Sequence, residues 1–414
     1  MPAFRNPWWV VVGGVVGLFV CNGPILTYTS GVFLKPIMAD MGWQRGTASF
    51  ALACGEFLAA FSLPLLGRMM DRWTIRRVAL PGIVAFAASL CLMALTPRSL
   101  LVFTILSTLT YAASTVQTPL AYTKAISAWF DRRRGLALGI ALAGIGFGGM
   151  IVPQLANYFI ARFGWRIAYV LLGIMVLAIA FPAVALWVRE PQPGEGERPR
   201  GQRDADLPGL TAREAAATAP FWLLAATFFF VALALLGFSG HVVPLLTDRG
   251  LSAAAATATF GLFGLSTLCG RLLTGFLIDR IFASYIATVL WLAPIAGFML
   301  LSTGTGFLPA IGVVLLGVGL GTEVDLIAFM LSRYLGLRAF GTIYGIFFMM
   351  FGLGGSLGRF LAGYLFDLAG SYNPALIGAS AALIVAVVLI NRLGPYVYPV
   401  ELTVPGILVA KPST

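Results

Sequence analysis

The chain alternates long apolar stretches with short polar ones, and about 20 consecutive apolar residues suffice for a helix to cross the hydrocarbon core of a bilayer. Counted between charged or Gly/Pro punctuation, twelve such stretches occur, near 8–34, 47–67, 78–96, 99–124, 135–160, 166–188, 220–246, 252–278, 283–302, 307–332, 341–365 and 373–393. Between the sixth and seventh lies "REPQPGEGERPRGQRDADLPGLTARE", polar, rich in Pro and Gly, and without an apolar period. Such a segment predicts a flexible loop. The expected architecture is an all-α polytopic membrane protein: a six-helix bundle over 1–188, a cytoplasmic loop over 189–219, a second six-helix bundle over 220–393 and a cytoplasmic tail over 394–414.

Composition agrees with the pattern. Hydrophobic residues make up 59% of the chain and charged ones 10%, against roughly 25% charged in ordinary soluble domains. "MPAFRNPWW" runs straight into an apolar segment too long for a signal-peptide core and without a small-residue cleavage site, so the first helix is expected to stay in the membrane. With the N-terminus inside, nineteen basic residues fall on cytoplasmic segments and six outside (Lys35, Arg45, Arg98, Arg162, Arg166, Arg249). That bias predicts cytoplasmic termini. It also accounts for the formal charge of +11 without a nucleic-acid partner. Cys21, Cys54, Cys91 and Cys269 lie in apolar segments without metal-ligand spacing and read as packing residues.

One stretch breaks the apolar rule. In "LSTLCGRLLTGFLIDR" Arg271 stands eight residues before the next charge. An arginine near the middle of a spanning helix costs about 2.5 to 3.5 kcal/mol on insertion scales, and such residues face a bundle interior or a wet cavity. Gly264, Thr267 and Arg271 share one helix face. Two readings follow: Arg271 holds the bundle together through a carbonyl or acidic neighbour, or it grips a solute.

The two halves repeat each other. "GRMMDR" at 67–72 recurs as "GFLIDR" at 275–280, and at an offset of 206 Gly135, Gly139, Gly148 and Gly149 match Gly341, Gly345, Gly354 and Gly355. Same order and same direction indicate a parallel duplication of a six-helix unit. On these residues the chain resembles the major facilitator superfamily over essentially its full length. "GRMMDRWTIRR" looks like that superfamily's cytoplasmic signature, which implies gating roles for Asp71 and Arg72 and for their second-half copies Asp279 and Arg280. "WFDRRRGLALGIALAGIGFGG" and "GWRIAY" are similar to the monocarboxylate transporter and oxalate:formate antiporter branch. The resemblance implies two bundles rocking around a central site, with an arginine at the place of Arg271 gripping a substrate carboxylate. A guanidinium matches a carboxylate with two parallel hydrogen bonds, which lysine cannot copy.

The chain also departs from that branch. "YGIFFMMFGLGG" lacks the second cation of the oxalate:formate type, and one central cation suits a monocarboxylate. Where the animal transporters carry an aspartate and a lysine, this chain has Thr267 and Tyr28. A coupling proton then needs another carrier. Glu323 in the tenth span comes to roughly the depth of Arg271 at 1.5 Å per residue, and is favoured as the cavity acid. Asp325 points about 200° away, as a further proton carrier or as a packing or gating partner of cytoplasmic arginines. Glu56 in the second span and Arg359 in the eleventh both fall in the outer half and are expected to meet as a gate; Glu56 is also a candidate proton carrier. His241, the only histidine, reads either as a pH sensor or as a surface residue capping a helix. Asn22, Tyr28, Gln117, Thr118 and Tyr122 lie on spans that line the cavity in the resembled fold.

These readings converge on a monomeric secondary transporter of small organic monocarboxylates in a bacterial inner membrane, with proton symport ahead of anion exchange. Export of lipophilic or zwitterionic compounds is the alternative on the same fold. No G-x-x-x-x-G-K-[ST] loop is present for nucleotide drive, and no cofactor is expected. A membrane-embedded enzyme would need a paired nucleophile and base or clustered ligands, and a receptor a sizeable soluble output domain.

Overall fold

In the computed structural model of the protein the described residues are 6–130, 134–191, 209–278, 280–336 and 338–398, without the side chains of 64, 67, 68, 71, 72, 127, 128, 134 and 135. They form helices throughout. In lipid every backbone N–H and C=O must be satisfied within the segment, which leaves the helix as the spanning structure for such a sequence. Ten helices are long and apolar enough to cross a membrane. One of them, Leu136–Leu186, holds two spans that turn at Gly164, whose φ of 79° no L-residue adopts easily. The second span is divided into Arg45–Ala60 and Leu63–Arg72, each too short to count alone. The described residues therefore contain twelve spans.

Besides the second, four of the spans are interrupted. The first runs Trp8–Phe19, makes a π-turn over Gly23–Thr27 and continues as Ser30–Met41; the fourth breaks between Leu100–Ser114 and Pro119–Trp129. The seventh breaks between Ala219–Ser239 and Val242–Asp248, and the tenth between Leu308–Gly321 and Glu323–Tyr334. These are equivalent positions in the two halves. Proline explains the early breaks: Pro24 and Pro119 lack the N–H that would continue the ladder. In the tenth span "GVGLGTE" supplies three glycines and a threonine whose hydroxyl donates to the Gly319 carbonyl. Broken helices are tolerated at membrane depth only where they are buried in protein or line a cavity, so these four spans mark the centre of the molecule. The uninterrupted helices are the eighth, Ala253–Leu277, the third, Ile75–Met93, the ninth, Ala283–Thr303, the eleventh, Phe340–Ala369, and the twelfth, Asn373–Ile390.

Helix pairing carries the duplication into three dimensions. The first span packs on the fifth, the second on the fourth and the third on the sixth; the seventh on the eleventh, the eighth on the tenth and the ninth on the twelfth. Between the halves, the second span packs on the eleventh and the fifth on the eighth. Large apolar side chains such as Leu101, Leu136, Met299 and Ile377 are exposed on the outer wall, as a lipid-facing surface requires. Among the described residues, the side-chain bonds between the halves lie from mid-membrane to the end that carries Asp248. There Gly31 approaches the Gly240 carbonyl so closely that a Cβ would sit 2.5 Å from its oxygen.

Candidate functional site

Arg271 is 7% exposed in the last third of the eighth span, Ala253–Leu277. Its position follows from how that span meets the tenth. The two run in parallel, and glycines let the backbones touch: a Cβ on Gly317 would lie 2.5 Å from the Phe263 carbonyl oxygen, and one on Gly321 would lie 2.1 Å from that of Thr267. Both contacts join residues 54 apart, and the same register one turn on sets Asp325 beside Arg271, with Oδ2 3.9 Å from Nε. At that distance the contact is ionic and not a hydrogen bond. Nη1 of Arg271 is buried with no hydrogen-bond partner.

Asp325 thus faces Arg271 and not the cytoplasmic arginines that its 200° offset from Glu323 suggested. Gly317, Gly321 and Asp325 repeat every four residues, so the face that packs on the eighth span is also the face that carries the acid. Glu323 is 1% exposed, within electrostatic reach of Arg271, and leaves Oε1 without a partner. At the repeat offset of 206 it corresponds to Gln117, which is fully buried at the break of the fourth span.

From the first span, Tyr28 packs edge-on against Phe263 at 5.7 Å and Phe260 at 6.3 Å, both on the eighth. It also lies within reach of Arg271 and Glu323. Tyr122 donates its phenol proton to Oε1 of Gln117, which fixes the amide and leaves Nε2 buried without an acceptor. The other predicted polar residues are partly committed: the hydroxyl of Thr118 donates to Thr115 and that of Thr267 to Phe263, each to a backbone carbonyl. Asn22 is half-buried at the start of the π-turn and makes no capping bond.

A second cluster lies toward the end that carries Asp248. Nη2 of Arg359 lies 3.3 Å from Oε2 of Glu56, and Nη1 donates to the Tyr111 hydroxyl at 2.9 Å. His241 is 1% exposed, so it is not a surface cap. Nδ1 lies 2.9 Å from the Tyr372 hydroxyl and Nε2 3.0 Å from the Arg359 carbonyl oxygen. The break after Ser239 turns the imidazole inward, which a count of apolar residues could not reveal.

Beyond it, at the mouth, Asp248 receives Lys35 at 2.6 Å and Arg45 at 2.7 Å. Asp40 is bonded by Arg166, Trp165 and Arg98. The side chains of Asp71 and Arg72, and all of Asp279, lie outside the described residues. Arg280 folds over the Phe276 ring and donates to the Phe276 carbonyl, so these contacts stay within its own span. No group of three or more metal-ligating side chains occurs among the described residues.

Comparison with known proteins adds the context. Residues 15–358 match the family profile described as Major Facilitator Superfamily. The chain is 29% identical over 271 residues to monocarboxylate transporter 11 of Homo sapiens, covering 61% of this chain and 55% of that protein. The match thus spans little more than half the length of that relative. With the uncharacterised MFS-type transporter YhjX of Escherichia coli (strain K12) it shares 21% over 358 residues, 84% of this chain and 86% of that one. A bacterial homolog of the human lysosomal transporter Spinster, crystallised inward-facing and unoccupied, superposes with a TM-score of 0.65 at 17% identity, covering 94% and 95% of the two chains. The nucleoside transporter NupG gives 0.70 at 14% identity, covering 93% and 99%.

Proposed function

We propose that this chain, which belongs to the Major Facilitator Superfamily, is a secondary active transporter that moves small organic monocarboxylates together with protons by alternating access. The observation that carries the reading is the state of Arg271: a guanidinium buried within a membrane-spanning helix, its Nη1 orphaned and its nearest acid 3.9 Å away. A buried donor without a partner costs roughly 1 to 3 kcal/mol, more when charged. A planar anion satisfies it with two parallel bonds. The similarity to a monocarboxylate transporter supports the same solute class.

Charge balance supplies the coupling. Arg271 faces two acids, Asp325 and Glu323, and a bound carboxylate makes a third. Like charges about 4 Å apart repel by about 4 kcal/mol at an effective dielectric of 20. The anion therefore enters as Asp325 takes a proton and releases Arg271. The Asp325 side chain is 26% exposed, which gives it access to water that Glu323 lacks. Glu56 is engaged by Arg359 and belongs to the outer closure, where it parts from Arg359 as the central cavity turns outward. With the termini cytoplasmic, the Asp248 end, where the halves are bonded together, faces out.

The test is accumulation in proteoliposomes under an imposed pH gradient. Asp325→Asn is expected to reduce uphill uptake to within about a tenth of the parent while substrate exchange continues, and Glu323→Gln to do so less completely. If both variants concentrate the acid as the parent does, neither residue carries the proton.

A further inference from the structure

We infer that Asp367, near the end of the eleventh span, is a latch that holds the outer end shut by capping a helix of the opposite half. This goes beyond the carboxylate reading and does not depend on it. The second span begins at Arg45, and the first N–H groups of any helix have no intrahelical acceptor. Gln44, in the cap position, makes no side-chain bond to them. Asp367 reaches across instead: Oδ1 accepts from the Arg45 N–H at 3.2 Å and Oδ2 from the Gly46 N–H at 2.6 Å. A carboxylate at a helix N-terminus also meets the positive end of the helix dipole.

Because the cap comes from the other half, it exists only while the second and eleventh spans stay together at this end. The local sequence is shaped for that approach. A Cβ on Gly46 would stand 2.6 Å from Oδ2 of Asp367, and one on Gly363 would stand 2.5 Å from the Ser49 hydroxyl. The Arg45 side chain is gripped by the same half, with its guanidinium 3.7 Å over the Phe366 ring and 2.7 Å from Asp248. When the halves part, both N–H groups pass to water and the helix start loses its cap. The closed state alone gains this stabilisation.

Ser49 reports the separation, being 1% exposed against Gly363. The experiment measures labelling of Ser49→Cys in the full chain by a membrane-impermeant maleimide from the Asp248 side, with the four native cysteines as background. Adding Asp367→Ala is expected to raise the rate about 2- to 30-fold, the range set by loss of a helix cap. Asp367→Asn, which keeps one acceptor oxygen, should raise it less. Unchanged labelling in Asp367→Ala, with the same protein reacting fully once denatured, overturns the latch. If the alanine variant does not fold, an unchanged rate in Asp367→Asn does so. A lowered melting temperature without faster labelling also counts against it, since that is the signature of a merely structural cap.

Discussion

Replacing Arg271 with alanine is expected to weaken binding of the transported acid by roughly 30-fold to several-thousand-fold. That range corresponds to the 2 to 5 kcal/mol typical of truncating one partner of a buried, hydrogen-bonded charge pair. Two features place Arg271 at the upper end. The orphaned Nη1 has no protein bond that would dilute the loss, and removal leaves Asp325 and Glu323 each without the cation it lies near. Arg271→Lys keeps the charge but loses the planar fork, so it should also be badly impaired. Binding of the acid, measured calorimetrically on folded protein, checks both variants. Affinity of the alanine variant within about threefold of the parent would sink the clamp and return Arg271 to a structural role.

The next largest effect is expected where the halves meet between Glu56 and Arg359. Removing one partner of a buried ion pair costs about 3 to 5 kcal/mol because the other charge is left uncompensated. Arg359→Ala strands Glu56 and also deprives Tyr111 of its donor. Glu56→Ala strands a guanidinium that is 2% exposed. Each single variant should lose most transport. The exchange Glu56→Arg with Arg359→Glu should recover a substantial part of it, since the pair is remade with the charges reversed. Transport is read against the amount of protein reaching the membrane; no recovery at normal abundance would mean the two residues act apart.

The spans were legible because the bilayer imposes a length and a polarity that the sequence has to display. Part of the repeat was legible for a related reason: Gly148, Gly149, Gly354 and Gly355 all sit against a neighbouring helix, whereas Gly139, Gly341 and Gly345 face open space. Arg271, Glu56 and Arg359 stood out as charges in apolar runs. The register between spans was harder. Depth estimates brought Glu323 level with Arg271, but depth does not say which face of the tenth span meets the eighth, and that settles the partner as Asp325. The signal was present in "GVGLGTEVD", where Gly317, Gly321 and Asp325 share a face. The mouth was hidden for another reason. Arg45, Asp248 and Asp367 lie near the ends of spans, where charges are ordinary, and only the fold brings residues more than 200 positions apart into one cluster. The burial of His241 was hidden in the same way, since it depends on Tyr372 and Arg359 from distant spans.

The central claim is that a single guanidinium buried within a span selects one carboxylate and that a proton accompanies it. The measurement that meets it most directly is uptake into proteoliposomes of a panel of radiolabelled short-chain carboxylates, each beside its neutral amide, with and without a pH gradient. The account predicts that at least one acid accumulates above equilibrium only when the gradient is present, and that its amide does not compete. Equal entry of acid and amide, or accumulation of neutral or cationic compounds in place of acids, would contradict it.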